Sequence, residues 1–161
     1  THFIFWHCTI CSLAHSFLVI GVYIGFKKEL EVNFENYVEN IAKCRTFAFD
    51  YEIDFLKKNN LALGGSLENA VVVGADGPLN PEGLRYPDEF VRHKILDAIG
   101  DLYIVGHPII GAFEGYKSGH AINNALLRAV LADPENYEWR TFDNFDDVPQ
   151  SFCGIETLTV A

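Results

Sequence analysis

The sequence predicts an α+β domain, in which a small sheet is covered by a few helices. Short runs of alternating or branched apolar residues, such as 45–49 and 70–73, are typical of strands. Longer runs with helical periodicity, at 90–105 and 120–132, alternate with them. Because 49% of the 161 residues are apolar and 14% are aromatic, we expect one domain with its own packed core.

Local signals set the order of the elements after residue 31. Asp50 is expected to cap one helix, Asn59-Asn60 to end it, and Asp133-Pro134 to end the last one. Gly and Pro mark a long loop at 74–89. The predicted helices cover 33–42, 50–58, 90–105 and 120–132. The predicted strands cover 45–49, 61–63, 70–73 and 109–116. The tail at 137–161 is interpreted as a solvated edge.

Residues 1–30 form an apolar N-terminal segment of different character. The first 26 residues contain no Asp, Glu, Lys or Arg, and Lys27-Lys28 follow at once. Three interpretations stay open for the most apolar part, residues 17–24: a membrane-spanning helix, a buried strand, or sequence foreign to the native protein. A Cys8–Cys11 pair with nearby histidines is a weak zinc motif, since no second pair completes it.

Charge and cysteine content exclude some classes of protein. The formal net charge of -10 argues against non-specific binding to nucleic acid. Four irregularly spaced cysteines do not suggest a disulfide framework, so a reducing compartment is expected. The absence of any Met suggests that the chain is a fragment.

The predicted helix at 90–105 carries a candidate metal site. His93 and Asp97 are four residues apart, so they lie one above the other on one helix face, and Asp101 follows one turn later. An imidazole and a carboxylate at this spacing can share one ion, and mixed N and O ligands suit a catalytic zinc. The alternative is an ordinary surface His–Asp pair.

Five blocks of sequence stand out between residues 31 and 149. They read CRTFAF at 44–49, LALGGS at 61–66, LNPEGLR at 79–85, FVRHKILDAIGD at 90–101 and YKSGHA at 116–121. In this order they resemble the second domain of the zinc-dependent UDP-3-O-acyl-N-acetylglucosamine deacetylases of lipid A biosynthesis. The first 26 residues resemble no part of that family.

The resemblance implies that residues 31–161 form one half of a two-domain deacetylase. That half is a two-layer, sheet-plus-helices domain with the active site facing the other half. His93 and Asp97 match two ligands of a Zn²⁺ ion. The third ligand, a histidine, and the glutamate that acts as general base belong to the first domain of the family. The isolated chain is therefore expected to be inactive.

The resemblance also assigns roles to polar residues of this chain. His120 would stabilise the tetrahedral intermediate as an imidazolium and then protonate the leaving amine. Asp101 would orient that imidazole. Thr46 would hydrogen-bond the oxyanion. Lys94 would bind the polar or phosphate part of the substrate.

A β-α-β insert at about 47–73 would form an apolar passage for the substrate's acyl chain in this family. The alternative is an ordinary hydrophobic mini-core. The matching positions that we expect to contact substrate are Phe47, Phe49, Gly65 and Ser66, with Ile53 and Ala62 nearby.

The partner implied by the resemblance is a small acylated UDP-sugar, with no nucleic acid and with a membrane close by that receives the product. The complete enzyme would be a monomer in the bacterial cytoplasm, or in an organelle if the source is eukaryotic. A second hypothesis is a non-catalytic remnant, associated with a membrane through residues 1–26.

Overall fold

A computed structural model describes residues 2–6, 19–23, 27–144 and 147, and up to residue 30 it describes the backbone. The strands are β1 (His2–Trp6), β2 (Val19–Tyr23), β3 (Lys27–Glu31), β4 (Thr46–Phe49), β5 (Ala70–Gly74), β6 (Gly77–Pro78), β7 (Ile109–Ile110), β8 (Ala112–Tyr116) and β9 (Tyr137–Thr141). The helices are α1 (Phe34–Asn40), α2 (Ile53–Lys58), α3 (Glu89–Tyr103) and α4 (His120–Ala132), with 3-10 turns at Asp50–Glu52 and Pro134–Asn136. The predicted α+β class is confirmed.

The described strands form three sheets of three strands each, in the orders β7-β1-β9, β3-β2-β8 and β4-β5-β6. Within the first two sheets, β1 runs parallel to β7 and β2 runs parallel to β8. Because one residue separates β7 from β8, these two sheets meet at that point of the chain. The third sheet is built from the segment between α1 and α3.

The N-terminal segment supplies β1 to the β7-β1-β9 sheet, and β2 and part of β3 to the β3-β2-β8 sheet. Of the three interpretations of residues 17–24, the strand is the one that the structure supports, since Val19–Tyr23 pairs with β3 and β8. No helix in the described ranges is both long enough and apolar enough to cross a membrane. The Cys8–Cys11 pair lies outside the described residues.

The tail begins with a strand at the edge of the first sheet, and residues 139–141, 143, 144 and 147 are exposed, as a solvated edge requires. Tyr137–Thr141 is β9, which pairs antiparallel with β1, and Ile4 lies opposite Trp139. The rest of the tail, apart from residues 142–144 and 147, lies outside the described residues.

A β-α-β unit spans residues 46–74, the region where the insert is predicted. Strands β4 and β5 are parallel, with Thr46 opposite Ala70, and α2 lies between them in the chain. The predicted strand at 61–63 is wrong: these residues are exposed, Ala62 has a φ of 51°, and Gly65 N donates to Ala62 O. A left-handed residue cannot continue a strand, so the segment turns there.

Helix α3 is the centre of the core. Its buried apolar residues Val91, Ile95, Ala98 and Leu102 recur at helical spacing along one face. They pack with residues of the neighbouring elements, Ile41, Ile109, Phe113 and Leu127. The polar residues His93, Asp97 and Asp101 therefore lie on other faces of α3.

The buried Asn80 ties the insert to the loop that precedes α3. Its Oδ1 accepts from Val72 N at 3.0 Å, and its Nδ2 donates to the carbonyls of Leu67 and Ala70 at 2.8 Å each. The side chain is 4% exposed, so these bonds replace water for three backbone groups. Asn80 thus fixes both ends of the turn at 66–70.

We predict that Asn80→Ala lowers the free energy of unfolding of the full chain by about 3 kcal/mol, since three hydrogen bonds of about 1 kcal/mol each are lost. Urea unfolding measures this change. Asn59→Ala is the control, because Asn59 makes an exposed bond to Phe55 O and its loss should change stability by less than about 1 kcal/mol. Equal effects of the two variants would contradict the role given to Asn80.

Candidate active site

Two groups that can bind a metal lie together on α3. His93 Nε2 is 3.3 Å from Asp97 Oδ1, and both side chains are largely buried. The other ring nitrogen of His93, Nδ1, is 3.3 Å from the carbonyl oxygen of Cys44. Because a carbonyl can only accept, this contact places the ring proton on Nδ1 and leaves Nε2 free to bind a metal.

The separation of these two donors fits a shared zinc ion. Two ligands that each lie about 2.0–2.1 Å from a tetrahedral zinc are about 3.3 Å apart. Among the described residues, however, no group of three His, Cys, Asp or Glu side chains is arranged to hold a metal. The described part of the chain thus provides two suitable donors and no third.

Cys44 contributes its backbone and not its thiol. Burial raises the pKa of the Cys44 thiol to about 11, and the nearby Glu89 carboxylate acts in the same direction. The protonated thiol donates to the carbonyl oxygen of Asn40 at 3.4 Å, and no group of three candidate ligands in the described part includes it. The Cys44 side chain thus contacts the end of α1, whereas its carbonyl faces His93.

Lys94 and Phe47 border the His93–Asp97 pair. Lys94 Nζ is 2.7 Å from Asp97 Oδ2, on the opposite carboxylate oxygen from the one near His93. The Phe47 ring packs on Phe90 at 4.8 Å between centroids, edge-on to the His93 ring at 6.2 Å, and 5.9 Å from Lys94 Nζ. An apolar ring, a cation and the two candidate ligands are thus brought together.

A second imidazole–carboxylate pair lies beside the first. His120, the first residue of α4, has its Nδ1 3.0 Å from both oxygens of Asp101. Its Nε2 is 4.0 Å from Asp97 Oδ1. Since Asp101 follows Asp97 by one helical turn, the two carboxylates of α3 each face one histidine. The His120 side chain is 71% exposed, so it can contact a bound ligand.

A close backbone approach sets the start of α4. A Cβ at Gly115 would lie 2.8 Å from Ser118 Oγ and 2.9 Å from the Phe113 ring. Lys117 has a φ of 49°, and Ser118 is buried against β8. The lack of a side chain at Gly115 allows this tight turn, and the turn places His120 next to α3.

A buried ion pair positions β4 against α3. Arg45 is 3% exposed and Glu89 is fully buried. Glu89 Oε1 accepts from the backbone N of Arg45 at 2.9 Å and from its Nε at 3.0 Å. Arg45 also pairs with Glu82 and donates to Gly83 O. Because Arg45 precedes Thr46, this pair fixes the start of β4 next to the helix that carries His93.

Four of the predicted site residues are not bonded to the two histidine–carboxylate pairs. Thr46 is exposed at the start of β4, and its hydroxyl has no hydrogen bond with a described residue. Phe49 stacks on Tyr51 at 5.4 Å. Gly65 and Ser66 lie in an exposed turn, where Ser66 N donates to Asn69 Oδ1. Within the described part, no hydrogen bond, ion pair or ring contact joins these four residues to His93, Asp97 or His120.

Two parts of this arrangement were missed from the sequence. The Cys44 carbonyl orients His93 across 49 positions of the chain, and a backbone oxygen carries no sequence signal. Asn123 donates to Asp101 Oδ2 at 2.8 Å. Its position three residues after His120 on a helix was the signal that could have found it.

Comparison with known proteins gives one family for most of the chain. The family model for LpxC, UDP-3-O-acyl N-acetylglycosamine deacetylase, matches residues 17–132. The chain is 64% identical to the UDP-3-O-acyl-N-acetylglucosamine deacetylase of Neisseria gonorrhoeae over 124 residues, which are 77% of this chain and 40% of the relative. It is 55% identical to that of Acinetobacter baumannii (strain AYE) over 126 residues, which are 78% of this chain and 42% of the relative.

The family match and these relatives place the chain in the class of proteins related to UDP-3-O-acyl-N-acetylglucosamine deacetylases. More specifically, the chain belongs to the LpxC family. It spans about two fifths of the length of the curated relatives it matches. The family match starts at residue 17, so the expectation that the first 26 residues resemble no part of the family is wrong for residues 17–26.

The buried Glu89 makes the free energy of unfolding depend on pH in the acidic range. Burial alone raises the pKa of Glu89, but hydrogen bonds from the Arg45 side chain and from the backbones of Arg45 and Arg85 outweigh it and hold the pKa below its ordinary 4.5. A carboxyl whose folded pKa is lowered stabilises the fold above its unfolded pKa, and this contribution is lost as the pH falls through the folded value.

We predict that the free energy of unfolding falls as the pH is lowered from about 4.5, and that Glu89→Gln removes part of this dependence. At neutral pH the same variant should lower stability by about 3 kcal/mol, because Arg45 loses its buried counter-charge. Urea unfolding at several pH values measures both effects. Glu82→Gln, at the half-exposed partner of Arg45, should cause a smaller loss. An unchanged pH profile in Glu89→Gln would contradict this interpretation.

Proposed function

We propose that this chain is the zinc-holding half of an enzyme that hydrolyses the N-acetyl group of a UDP-3-O-acyl-N-acetylglucosamine, in lipid A biosynthesis. The observation that carries the proposal is the 3.3 Å separation of His93 Nε2 and Asp97 Oδ1 on one face of α3, with His120 Nε2 4.0 Å from the same carboxylate oxygen. Membership of the LpxC family and the names of the relatives support the reaction and the substrate.

His93 and Asp97 would hold the metal. The Cys44 carbonyl keeps the His93 proton on Nδ1, and Lys94 occupies the Asp97 oxygen that does not face His93, so both donors are oriented in advance. When bound, zinc lowers the pKa of a water ligand toward neutrality and polarises the acetyl carbonyl. The third ligand and the general base would come from the first domain of the complete enzyme, as the family resemblance implies.

His120 and Thr46 would act on the reacting amide. Asp101 accepts from Nδ1 of His120, so Nε2 faces the Asp97 side, where the substrate would lie. A proton held on Nε2 stabilises the developing oxyanion and then passes to the nitrogen of the leaving amine. The Thr46 hydroxyl, which is free of partners among described residues, would donate to the same oxyanion.

The remaining predicted residues would bind the two ends of the substrate. Lys94 carries a cation at the edge of the site that suits a phosphate or another polar group. The Phe47 ring lies between Phe90 and His93 and offers an apolar wall to the start of the acyl chain. Phe49, Gly65 and Ser66, on the exposed insert, would line the path of the rest of that chain.

We further propose that the complete enzyme is a monomer in the bacterial cytoplasm and works beside the membrane that receives its product. The bacterial source of the relatives supports this location. The acidic balance of the chain makes nucleic acid an unsuitable partner.

A chimera provides the test. The segment of the Neisseria gonorrhoeae relative that matches this chain is replaced by the corresponding residues of this chain. We expect the chimera to bind one zinc and to release acetate from the acylated UDP-sugar. The 161-residue chain alone should show no turnover, since its described part offers two metal donors.

Two histidine variants of the chimera separate the two roles. His93→Ala should lose zinc, as measured by metal analysis after gel filtration, because it removes a ligand. His120→Ala should keep zinc but lose about 10²- to 10⁴-fold in kcat, the usual contribution of a general acid. His107→Ala is the matched control, since His107 packs on Trp139 and should change neither quantity. Zinc retained in His93→Ala, or full activity in His120→Ala, would overturn the assignment.

A further inference from the structure

Asn123 is a buried polar residue that contacts the candidate site from behind. It lies on α4 three residues after His120 and is 1% exposed. Its Nδ2 donates to Asp101 Oδ2 at 2.8 Å. Neither the sequence motifs nor the roles described above make use of this residue.

The Asp101 carboxylate is held by α4 at two points. Both of its oxygens lie 3.0 Å from His120 Nδ1, and Oδ2 also accepts from Asn123. His120 and Asn123 face the same side of α4 because they are three residues apart. An ionised carboxylate can only accept, so the Asn123 amide has one orientation in which this bond can form. The carboxylate therefore cannot rotate about its last bond without losing a partner.

The other end of the Asn123 amide makes no such contact. Its Oδ1 is buried and accepts no hydrogen bond from any residue in the described part of the chain. A buried acceptor without a donor costs about 1–3 kcal/mol. Leu127 lies one turn further along the same face and is part of the apolar core. A leucine at position 123 would suit this environment, so stability does not explain the amide.

We propose that Asn123 is a positioning residue, which fixes the Asp101 carboxylate and through it holds His120 with Nδ1–H toward Asp101 and Nε2 toward the substrate. This inference rests on the proposed function of His120. It explains why one end of a buried amide is paired with a carboxylate of the site while the other end is left unpaired.

The arrangement has a consequence for the proton on the imidazole. In the imidazolium proposed for catalysis both ring nitrogens of His120 carry a proton. In the neutral form, donation from Nδ1 to Asp101 keeps the single proton on Nδ1 and leaves Nε2 bare. With Asn123 removed, Asp101 can rotate, and the population of this tautomer should fall.

The kinetic test uses the chimera and its Asn123→Leu variant. We expect kcat to fall by about 10- to 100-fold, as for other residues that orient a catalytic group, with little change in KM and with zinc retained. The melting temperature should be unchanged or higher, since the unpaired acceptor is gone. Asn124→Leu is the matched control, because Asn124 bonds to Arg128 on another face of α4 and should leave kcat unchanged.

A double-mutant cycle shows whether Asn123 acts through Asp101. In an Asp101→Ala background, Asn123→Leu should cause no further loss of kcat, because the group that it positions is absent. Equal losses with and without Asp101 would overturn the proposal. A fall in zinc content or melting temperature that accounts for the lost kcat would overturn it as well.

A spectroscopic measurement keeps the inference testable if the chimera is inactive or Asn123→Leu folds poorly. The ¹⁵N resonances of His120 report the tautomer at a pH well above the usual imidazole pKa of about 6.5. We expect the Nδ1–H tautomer in the parent and its loss in Asn123→Leu or Asn123→Ala. The same tautomer in parent and variants would contradict the inference, whereas an inactive parent with the expected tautomers would contradict the proposed function alone.

Discussion

The buried pair of Arg45 and Glu89 is the constraint on which the rest of the site depends. Glu89 is the first residue of α3, and its carboxylate accepts from both the backbone and the side chain of Arg45. It also accepts from Arg85 N at 2.6 Å, so the loop before the helix is fixed at the same place. A buried charge pair is strongly specific for its partners, because breaking it leaves an uncompensated charge in the core. Strand β4 and helix α3 thus have one mutual position.

Several features of the site follow from that mutual position. The Cys44 carbonyl comes within 3.3 Å of His93 Nδ1, and the Phe47 ring reaches the edge of the His93 ring. From this point the geometry is that of the helix itself, which places Asp97 and Asp101 at successive turns after His93. Helix α4 places His120 beside Asp97 and Asp101, because the close approach of Ser118 to Gly115 sets the start of this helix. The result is two neighbouring histidine–carboxylate pairs of different exposure.

The parts that could be predicted from the sequence are those with local causes. Helix α4 has the predicted bounds, because Asp133-Pro134 ends it. Strand β5 lies where it was predicted, because the branched residues at 71–73 favour a strand. The His93–Asp97 pair also needed nothing beyond helical spacing. Strands β1 and β9 were missed because their pairing joins residues more than 130 positions apart, and local propensity does not report such contacts. The contact of the Cys44 carbonyl with His93 was missed for the same reason, whereas Asn123 was missed although its helical spacing from His120 is a local signal.

The central claim is that His93 and Asp97 face one divalent cation. The direct test is a crystal structure of the chimera with zinc, with diffraction data collected at the zinc absorption edge. The account predicts an anomalous peak about 2.0–2.2 Å from both His93 Nε2 and an Asp97 carboxylate oxygen. A peak bonded to neither residue, or side chains that diverge from a metal bound elsewhere, would contradict it.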